Sequence, residues 1–161
     1  MKPHTLNVCR FLFGVLGLCA VVTEVVVLVQ QGGFIPGNFF SYFTIISNTL
    51  AAFWLISYGS GSAATSKQKR WLPVIRGAIT LYMFMTGVIF AILLAPIEDA
   101  VLTAVPIDNI ILHYVMPAAL VLDWLLFPSR ARITLRQSLL WLIVPVAYVL
   151  YSLVRGAIVH W

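Results

Sequence analysis

The stretch VCRFLFGVLGLCAVVTEVVVLVQ, residues 8–30, carries only two charged side chains, those of Arg10 and Glu24. About 20 consecutive, predominantly apolar residues suffice for a helix to cross the hydrocarbon core of a bilayer. The run is also longer than the apolar region of a secretory signal peptide, which has about 7–15 residues. The stretch therefore predicts a retained transmembrane helix.

The rest of the 161-residue chain has the same apolar character. Hydrophobic residues make up 61% of the chain and charged residues 9%, whereas a soluble domain carries about 25% charged residues. This composition excludes a water-soluble globule and a large catalytic domain outside the membrane. We expect an all-α, polytopic transmembrane helix bundle that forms a single domain over residues 1–161. Its five predicted spans lie at about residues 8–30, 39–58, 71–95, 109–127 and 134–155.

The basic residues predict the orientation of the spans. Nine of the ten lie at the N-terminus or around the second and fourth loops, and only Arg155 falls on the opposite side. Lys and Arg are enriched in cytoplasmic loops, so we expect a cytoplasmic N-terminus. Because the basic residues flank spans instead of covering one solvated face, the chain is not expected to bind nucleic acid.

Polar side chains inside the second predicted span are the first candidates for a functional site. Ser41, Thr44, Ser47 and Asn48 are spaced i, i+3, i+6 and i+7, which places them on one face of a helix. Such a face either lets membrane helices pack closely or lines a polar cavity. The spacing alone leaves both interpretations open.

His113 is the one histidine within an apolar segment, and Pro117 follows it by four residues. Proline has no amide hydrogen for the carbonyl of His113 and bends a helix at that point. Thr44 and His113 both lie about 6–8 Å below the start of spans that begin on the outer side. We therefore expect a hydroxyl and an imidazole at the same depth, although a structural histidine remains an alternative.

Three further charges share a depth near the inner side, namely Asp123, Arg10 and Arg76. An unpaired charge within a span costs about 2.5–3.5 kcal/mol on insertion scales. We expect these residues to form structural ion pairs. Asp123 lies ten residues from His113, about 15 Å along a helix, so it does not orient the imidazole.

Two short motifs resemble the signatures of a bacterial family of six-span integral membrane proteins. The first is FSYFTIISN at residues 40–48, and the second is LHYVMP at residues 112–117 followed by DWLLFP at residues 123–128. That family is similar to the androgen-induced-gene family, whose members are intramembrane threonine hydrolases of fatty acid esters of hydroxy fatty acids (FAHFA). The resemblance implies a bacterial inner-membrane protein and a sixth span that lies outside this sequence.

The resemblance also implies that Thr44 is the nucleophile and His113 the second catalytic residue of a lipid ester hydrolase. We expect neutral His113 to act as general base on the Thr44 hydroxyl. Membrane lipids and a lipid ester would be the partners, with no cofactor and no metal. Candidates for binding the substrate or the oxyanion are Asn48, Ser47 and Tyr114, and Glu24 is the candidate for orienting His113.

Other functions stay open at this point. A small-molecule carrier would use the polar face of the second span as a path, and a structural membrane component would need no chemistry at all. A haem protein needs two converging ligands, for which only His113 and His160 share a level. The chain has no phosphate-binding glycine loop and no zinc-ligand spacing.

Overall fold

The computed structural model describes residues 3–61, 66–97, 103–129 and 131–159. Lys2 and Arg130, two of the basic residues from which the orientation was predicted, and His160, the second histidine considered for haem, lie outside these residues. The described residues form helices, with no strand among them. The helices are α1 (Pro3–Gln30), α2 (Pro36–Phe39), α3 (Phe43–Gly59), α4 (Ser66–Ile89, continued by a π-helical segment Phe90–Leu94), α5 (Pro106–Leu126) and α6 (Leu135–Val159).

The predicted all-α bundle is confirmed. Among the described residues, four helices are long and apolar enough to cross a membrane, namely α1, α4, α5 and α6, while α3 is an apolar helix of 17 residues. At 1.5 Å per residue α3 is about 26 Å long, slightly shorter than the hydrocarbon core of about 30 Å.

The second predicted span, residues 39–58, is not one continuous helix. Residues 40–42 separate α2 from α3, and Tyr42 has extended backbone at the N-cap of α3. The hydroxyl of Ser41 bonds to the carbonyl of Gly37 and lies 2.6 Å from the hydroxyl of Tyr151 in α6. Ser41 is therefore outside the helical face on which the spacing placed it, because local hydrogen bonding by a serine hydroxyl competes with helix formation.

Helix α1 packs along α3 more extensively than any other pair of helices. Gly14 makes this approach possible, since a Cβ atom there would lie 2.8 Å from the backbone nitrogen of Ile56. Helices α4 and α5 complete the bundle against α3. The central core cluster consists of Ala51, Leu55, Ile79, Met83, Met116 and Leu120.

A second core cluster lies towards one end of the bundle, where α1 ends and α3 and α5 begin. It consists of Ala20, Val21, Phe39, Ile45 and Leu112. We call this end of the bundle the cavity end. Helix α6 packs at the periphery, with Pro145 its one buried described residue, and reaches the cavity end through its contacts with Ser41 and Phe43.

Candidate functional site at the cavity end

Thr44 and His113 meet at the cavity end. The Oγ1 atom of Thr44, in the first turn of α3, lies 3.2 Å from Nε2 of His113 in α5. Thr44 is partly buried and His113 is 5% exposed. The common depth expected from the sequence therefore corresponds to a direct contact between a hydroxyl and an imidazole.

The second ring nitrogen defines the tautomer of His113. Nδ1 lies 3.1 Å from the backbone carbonyl oxygen of Asn109. A carbonyl oxygen only accepts hydrogen bonds, so in this contact Nδ1 carries the proton and donates it to Asn109. In the neutral ring Nε2 then presents its lone pair to the Thr44 hydroxyl, which is the arrangement that a general base requires.

The backbone around His113 departs from the α-helix. Residues Ile111–Val115 form a π-helical segment, and α-helix resumes at Met116. Pro117 has no amide hydrogen to complete an α-helical bond to the His113 carbonyl, so the ladder of bonds is interrupted there. Single π-helical turns of this kind are frequent at functional sites.

Helix α4 packs against this interrupted turn. A Cβ atom at Gly87 would lie 2.9 Å from Cβ of Pro117, so glycine allows α4 and α5 to approach here. Three residues later Phe90 stacks on the imidazole of His113, with ring centroids 4.0 Å apart and an interplanar angle of 22°. The imidazole is thus held between Phe90, Asn109 and Thr44.

Thr44 and His113 line a cavity of about 410 Å³. Its polar lining residues are Glu24, Gln31, Tyr42, Thr44, Thr103 and His113. Its larger apolar lining residues are Leu28, Phe39, Ile45, Leu94 and Leu112. Gln31 and Tyr42 are exposed, whereas Glu24 is 2% exposed. The cavity therefore combines buried and exposed polar groups with an apolar wall, as a site for an amphiphilic molecule requires.

Asn48 does not have the geometry expected of an oxyanion donor. Its Nδ2 group donates hydrogen bonds to the carbonyls of Thr44 (2.9 Å) and Leu112 (3.0 Å), and the residue is fully buried. Both amide hydrogens are therefore already used. Asn48 instead links α3 to α5 beside the Thr44–His113 pair.

Ser47 and Tyr114 also lie outside the cavity lining. Ser47 is 1% exposed, and its hydroxyl donates to the Thr44 carbonyl and lies 2.9 Å from the hydroxyl of Thr86. Tyr114 is 47% exposed and meets Phe90 edge-on at 5.1 Å. Successive residues on a helix point in directions about 100° apart, so Tyr114 does not share the direction of His113.

Glu24 contacts the chain that precedes α5, and the imidazole is oriented by Asn109 instead. Its two carboxylate oxygens accept hydrogen bonds of 2.8 Å from the amides of Ala104 and Val105. Val105 is the N-cap of α5. Glu24 therefore fixes the start of the helix that carries His113 and acts on that residue only through the backbone.

One donor at the site has no side chain and gives no signal in the sequence. The first-turn amides of a helix lack intrahelical acceptors. The Phe43 amide donates to the Tyr148 hydroxyl at 3.2 Å and the Ile45 amide donates to the Tyr42 carbonyl at 3.0 Å. Within the described part of the chain the Thr44 amide has no such acceptor, so it remains a free donor beside the hydroxyl.

The side chains of Arg10, Arg76 and Asp123 come together away from this site. Nη2 of Arg10 lies 2.7 Å from Oδ1 of Asp123, and Nη2 of Arg76 lies 2.8 Å from its Oδ2. Arg76 also donates to the Phe127 carbonyl at 2.8 Å. This cluster joins α1, α4 and α5 at the opposite end of the bundle, where the sequence placed a structural ion-pair cluster.

No protein-family model, no curated protein and no solved structure matched this chain in the three comparisons.

Proposed function

We propose that this chain is an intramembrane hydrolase of lipid esters, with Thr44 as nucleophile and His113 as general base. The observation that carries the proposal is the 3.2 Å contact between Thr44 Oγ1 and His113 Nε2, in a tautomer fixed by Asn109. A nucleophile, a base and a group that orients the base are the three parts of an activated hydroxyl nucleophile.

The acylation step follows from this geometry. The Thr44 hydroxyl transfers its proton to Nε2 of His113 while Oγ1 attacks the ester carbonyl carbon. The tetrahedral intermediate then collapses, the bond from carbon to the alcohol oxygen breaks, and Nε2 returns the proton to that oxygen. The products of the step are the free alcohol and an acyl ester of Thr44.

The second step regenerates the enzyme. A water molecule gives a proton to Nε2 of His113 and attacks the acyl carbon, and the proton then passes to Oγ1 of Thr44 as the acyl bond breaks. The free fatty acid leaves. With a cytoplasmic N-terminus the cavity end lies near the outer interface of a bacterial inner membrane, where water and the ester groups of lipids are both present.

The free amide of Thr44 supplies the oxyanion donor in this proposal. Donors aimed at the developing negative charge contribute a large part of acyl-transfer catalysis, and removal of one donor costs about 10²–10³ in kcat. The amide also belongs to the N-terminal turn of α3, where the helix dipole favours negative charge. This assignment replaces Asn48, whose amide hydrogens are committed to two carbonyls.

The nature of the cavity supports a lipid ester as substrate. Leu28, Phe39, Leu94 and their neighbours offer an apolar surface for an acyl chain, and the exposed Gln31 and Tyr42 lie on the same cavity. The resemblance of the two sequence motifs to the androgen-induced-gene family of fatty-ester hydrolases points to the same substrate class. The motif positions select Thr44 and His113 independently of the geometry.

Hydrolysis by purified protein tests the proposal. We would incubate the wild type, Thr44→Ala and His113→Ala in a neutral detergent with an acyloxy fatty ester and quantify the released fatty acid. Thr49→Ala is the matched control, because Thr49 is in the same helix and does not line the cavity.

The proposal predicts turnover by the wild type and by Thr49→Ala, and a loss of about 10²–10⁴ in kcat for His113→Ala. Thr44→Ala should lose at least as much turnover as His113→Ala and form no acyl-enzyme, with only the residual catalysis that the oxyanion donor and substrate binding provide. A folded wild type that hydrolyses no ester, or full turnover by Thr44→Ala, would contradict the proposal.

A further inference from the structure

The π-helical segment of α5 leaves one backbone carbonyl beside His113 without its helical donor. In an α-helix the Leu112 carbonyl would accept a hydrogen bond from the amide of Met116, four residues later. In the structure that amide donates instead to the carbonyl of Ile111, five residues before it. The next position along the helix is Pro117, which has no amide hydrogen to donate. Because a buried carbonyl needs a partner, Leu112 requires a donor from outside its own helix.

The side chain of Asn48 is that donor. Its Nδ2 atom lies 3.0 Å from the carbonyl oxygen of Leu112 and 2.9 Å from the carbonyl oxygen of Thr44. One amide group thus binds both the backbone of the proposed nucleophile and the peptide unit that joins Leu112 to His113. Since Asn48 and Leu112 are both fully buried, water does not compete for these bonds.

The oxygen of the same side chain makes no such contribution. The Oδ1 atom of Asn48 is buried and has no hydrogen-bond partner in the described part of the chain. A buried polar atom without a partner destabilises a protein. What suits asparagine to this position is therefore the pair of N–H donors that it directs at the two carbonyls.

The contact between Thr44 and His113 depends on the relative position of α3 and α5. Thr44 Oγ1 and His113 Nε2 are 3.2 Å apart, at the upper end of the range for a hydrogen bond. Asn48 joins the two helices one turn after Thr44 and directly before His113. A misplacement of a catalytic group by about 1 Å costs as much as about a hundredfold in rate, so loss of this link should slow the proton transfer.

We propose that Asn48 is a positioning residue for the proposed ester hydrolysis, on which this inference rests. Its bond to Leu112 replaces the bond that Pro117 cannot make, and it holds the π-helical turn of α5 against α3. The turn in this position keeps Nε2 of His113 within reach of the Thr44 hydroxyl. Because Asn48 is fully buried and is not a lining residue of the cavity, it acts on the reaction only through these two residues.

A threonine in place of Asn48 removes the bond between the helices selectively. The hydroxyls of Thr80 and Thr86 each donate to the carbonyl four residues earlier in their own helix, and a threonine at position 48 should bond to Thr44 in the same way. Asn48→Thr therefore keeps a donor for Thr44 and leaves the Leu112 carbonyl without one. Asn48→Ser has the same hydroxyl on a smaller side chain and provides a second test if threonine prevents folding.

The readout is kcat and KM for ester hydrolysis in a neutral detergent, per folded molecule. We expect Asn48→Thr and Asn48→Ser to lower kcat by about tenfold to a hundredfold and to change KM little, because the cavity lining is unaltered. Thr86→Val is the matched control, since its buried hydroxyl bonds to Ser47 in α3 and to Tyr82 in α4. Its kcat should stay close to that of the wild type.

Thermal unfolding tests the relationship to Pro117 without an assay of turnover. Pro117→Ala restores an amide hydrogen five residues after Leu112, which is the spacing of a π-helix. In the wild-type background Asn48→Thr should lower Tm by roughly 2–10 °C, as for a buried acceptor that loses its donor. In the Pro117→Ala background the same substitution should lower Tm by less, because a backbone amide then serves the Leu112 carbonyl.

The outcomes separate this inference from the proposed function. Turnover by the wild type with unchanged kcat in Asn48→Thr or Asn48→Ser, or an equal loss in Thr86→Val, overturns the positioning role and leaves ester hydrolysis in place. An equal fall in Tm in both backgrounds means that Asn48 does not replace the missing amide hydrogen, and it overturns the role as well. Absence of turnover by the folded wild type overturns ester hydrolysis, and the positioning role fails with it.

Discussion

Nδ1 of His113 donates a hydrogen bond to the carbonyl of Asn109, the residue one helical turn earlier in α5. This bond directs the unprotonated Nε2 to the hydroxyl of Thr44 in α3. A carboxylate usually fills this role in serine hydrolases, and here a backbone carbonyl supplies the orientation without adding charge to the membrane interior. The pair needs no third side chain to define its tautomer.

Substitution of Thr44 by serine keeps the hydroxyl and removes the methyl group. The variant therefore distinguishes the contributions of these two groups. The proposed chemistry needs only Oγ1, but the branched Cβ of threonine restricts χ1 and holds the oxygen in one rotamer. Thr44→Ser should therefore lower kcat/KM by about tenfold or less, because the nucleophile remains but has more rotamers available. Ester hydrolysis in detergent measures the effect, and complete inactivity of a folded Thr44→Ser would contradict the assignment.

Phe90 should influence turnover through the position of the imidazole. Its ring stacks on His113 at 4.0 Å, and a small misplacement of a catalytic group costs as much as about a hundredfold in rate. We expect Phe90→Leu to reduce kcat about tenfold while KM changes less. Phe84→Leu, in the same helix and 50% exposed, is the matched control, and equal effects of the two variants would exclude this role of Phe90.

Part of this site was predictable from the sequence, and part was not. The sequence identified Thr44 and His113 because polar side chains are rare within spans. Their common depth followed from the number of residues between each of them and the start of its span. The hydrogen bond from His113 to Asn109 joins residues four apart in one helix, but the sequence interpretation gave the orienting role to Glu24 and did not identify this bond. The stacking of Phe90 joins residues in different helices that no periodicity relates.

The errors in the sequence interpretation have physical causes as well. Ser41 followed the helical spacing but lies in a turn, since its hydroxyl bonds to the Gly37 carbonyl and the helix begins only at Phe43. Asn48 lies on the predicted face, yet neighbouring carbonyls occupy its amide group. Glu24 was the candidate for orienting His113, but its carboxylate accepts hydrogen bonds from two backbone amides instead. Spacing predicts which face a residue shares, whereas the partner it binds depends on the approach of other helices.

Because α4 and α5 approach closely at Gly87, a side chain at this position should lower the stability of the protein substantially. A Cβ atom at this position would lie 2.9 Å from Cβ of Pro117, so Gly87→Ala should force the helices apart at a cost of about 1–3 kcal/mol. The control is Gly156→Ala, where a Cβ atom would have no neighbour within 4 Å among the described residues beyond its own stretch of helix, and alanine should stabilise the helix by up to about 1 kcal/mol. Unfolding in mixed detergent measures both, and a neutral Gly87→Ala would contradict the packing.

A substitution that breaks the ion-pair cluster should lower the stability of the protein but leave the proposed reaction intact. Asp123→Asn removes the anion between Arg10 and Arg76 and should cost about 3–5 kcal/mol, as for a buried pair that loses one partner. Because Asp123 lies about 15 Å along the helix from His113, kcat per folded molecule should stay close to that of the wild type. An inactive Asp123→Asn of unchanged stability would mean that the cluster takes part in the reaction.

Identification of the residue that becomes covalently modified tests the central claim most directly. We would treat the folded protein with a lipophilic fluorophosphonate, digest it, and locate the adduct by tandem mass spectrometry, with His113→Ala treated in parallel. Our account predicts an adduct on Oγ1 of Thr44 in the wild type and a strongly reduced rate of labelling in His113→Ala. An unlabelled Thr44 in a protein that hydrolyses esters, or an adduct on another residue that parallels loss of turnover, would contradict it.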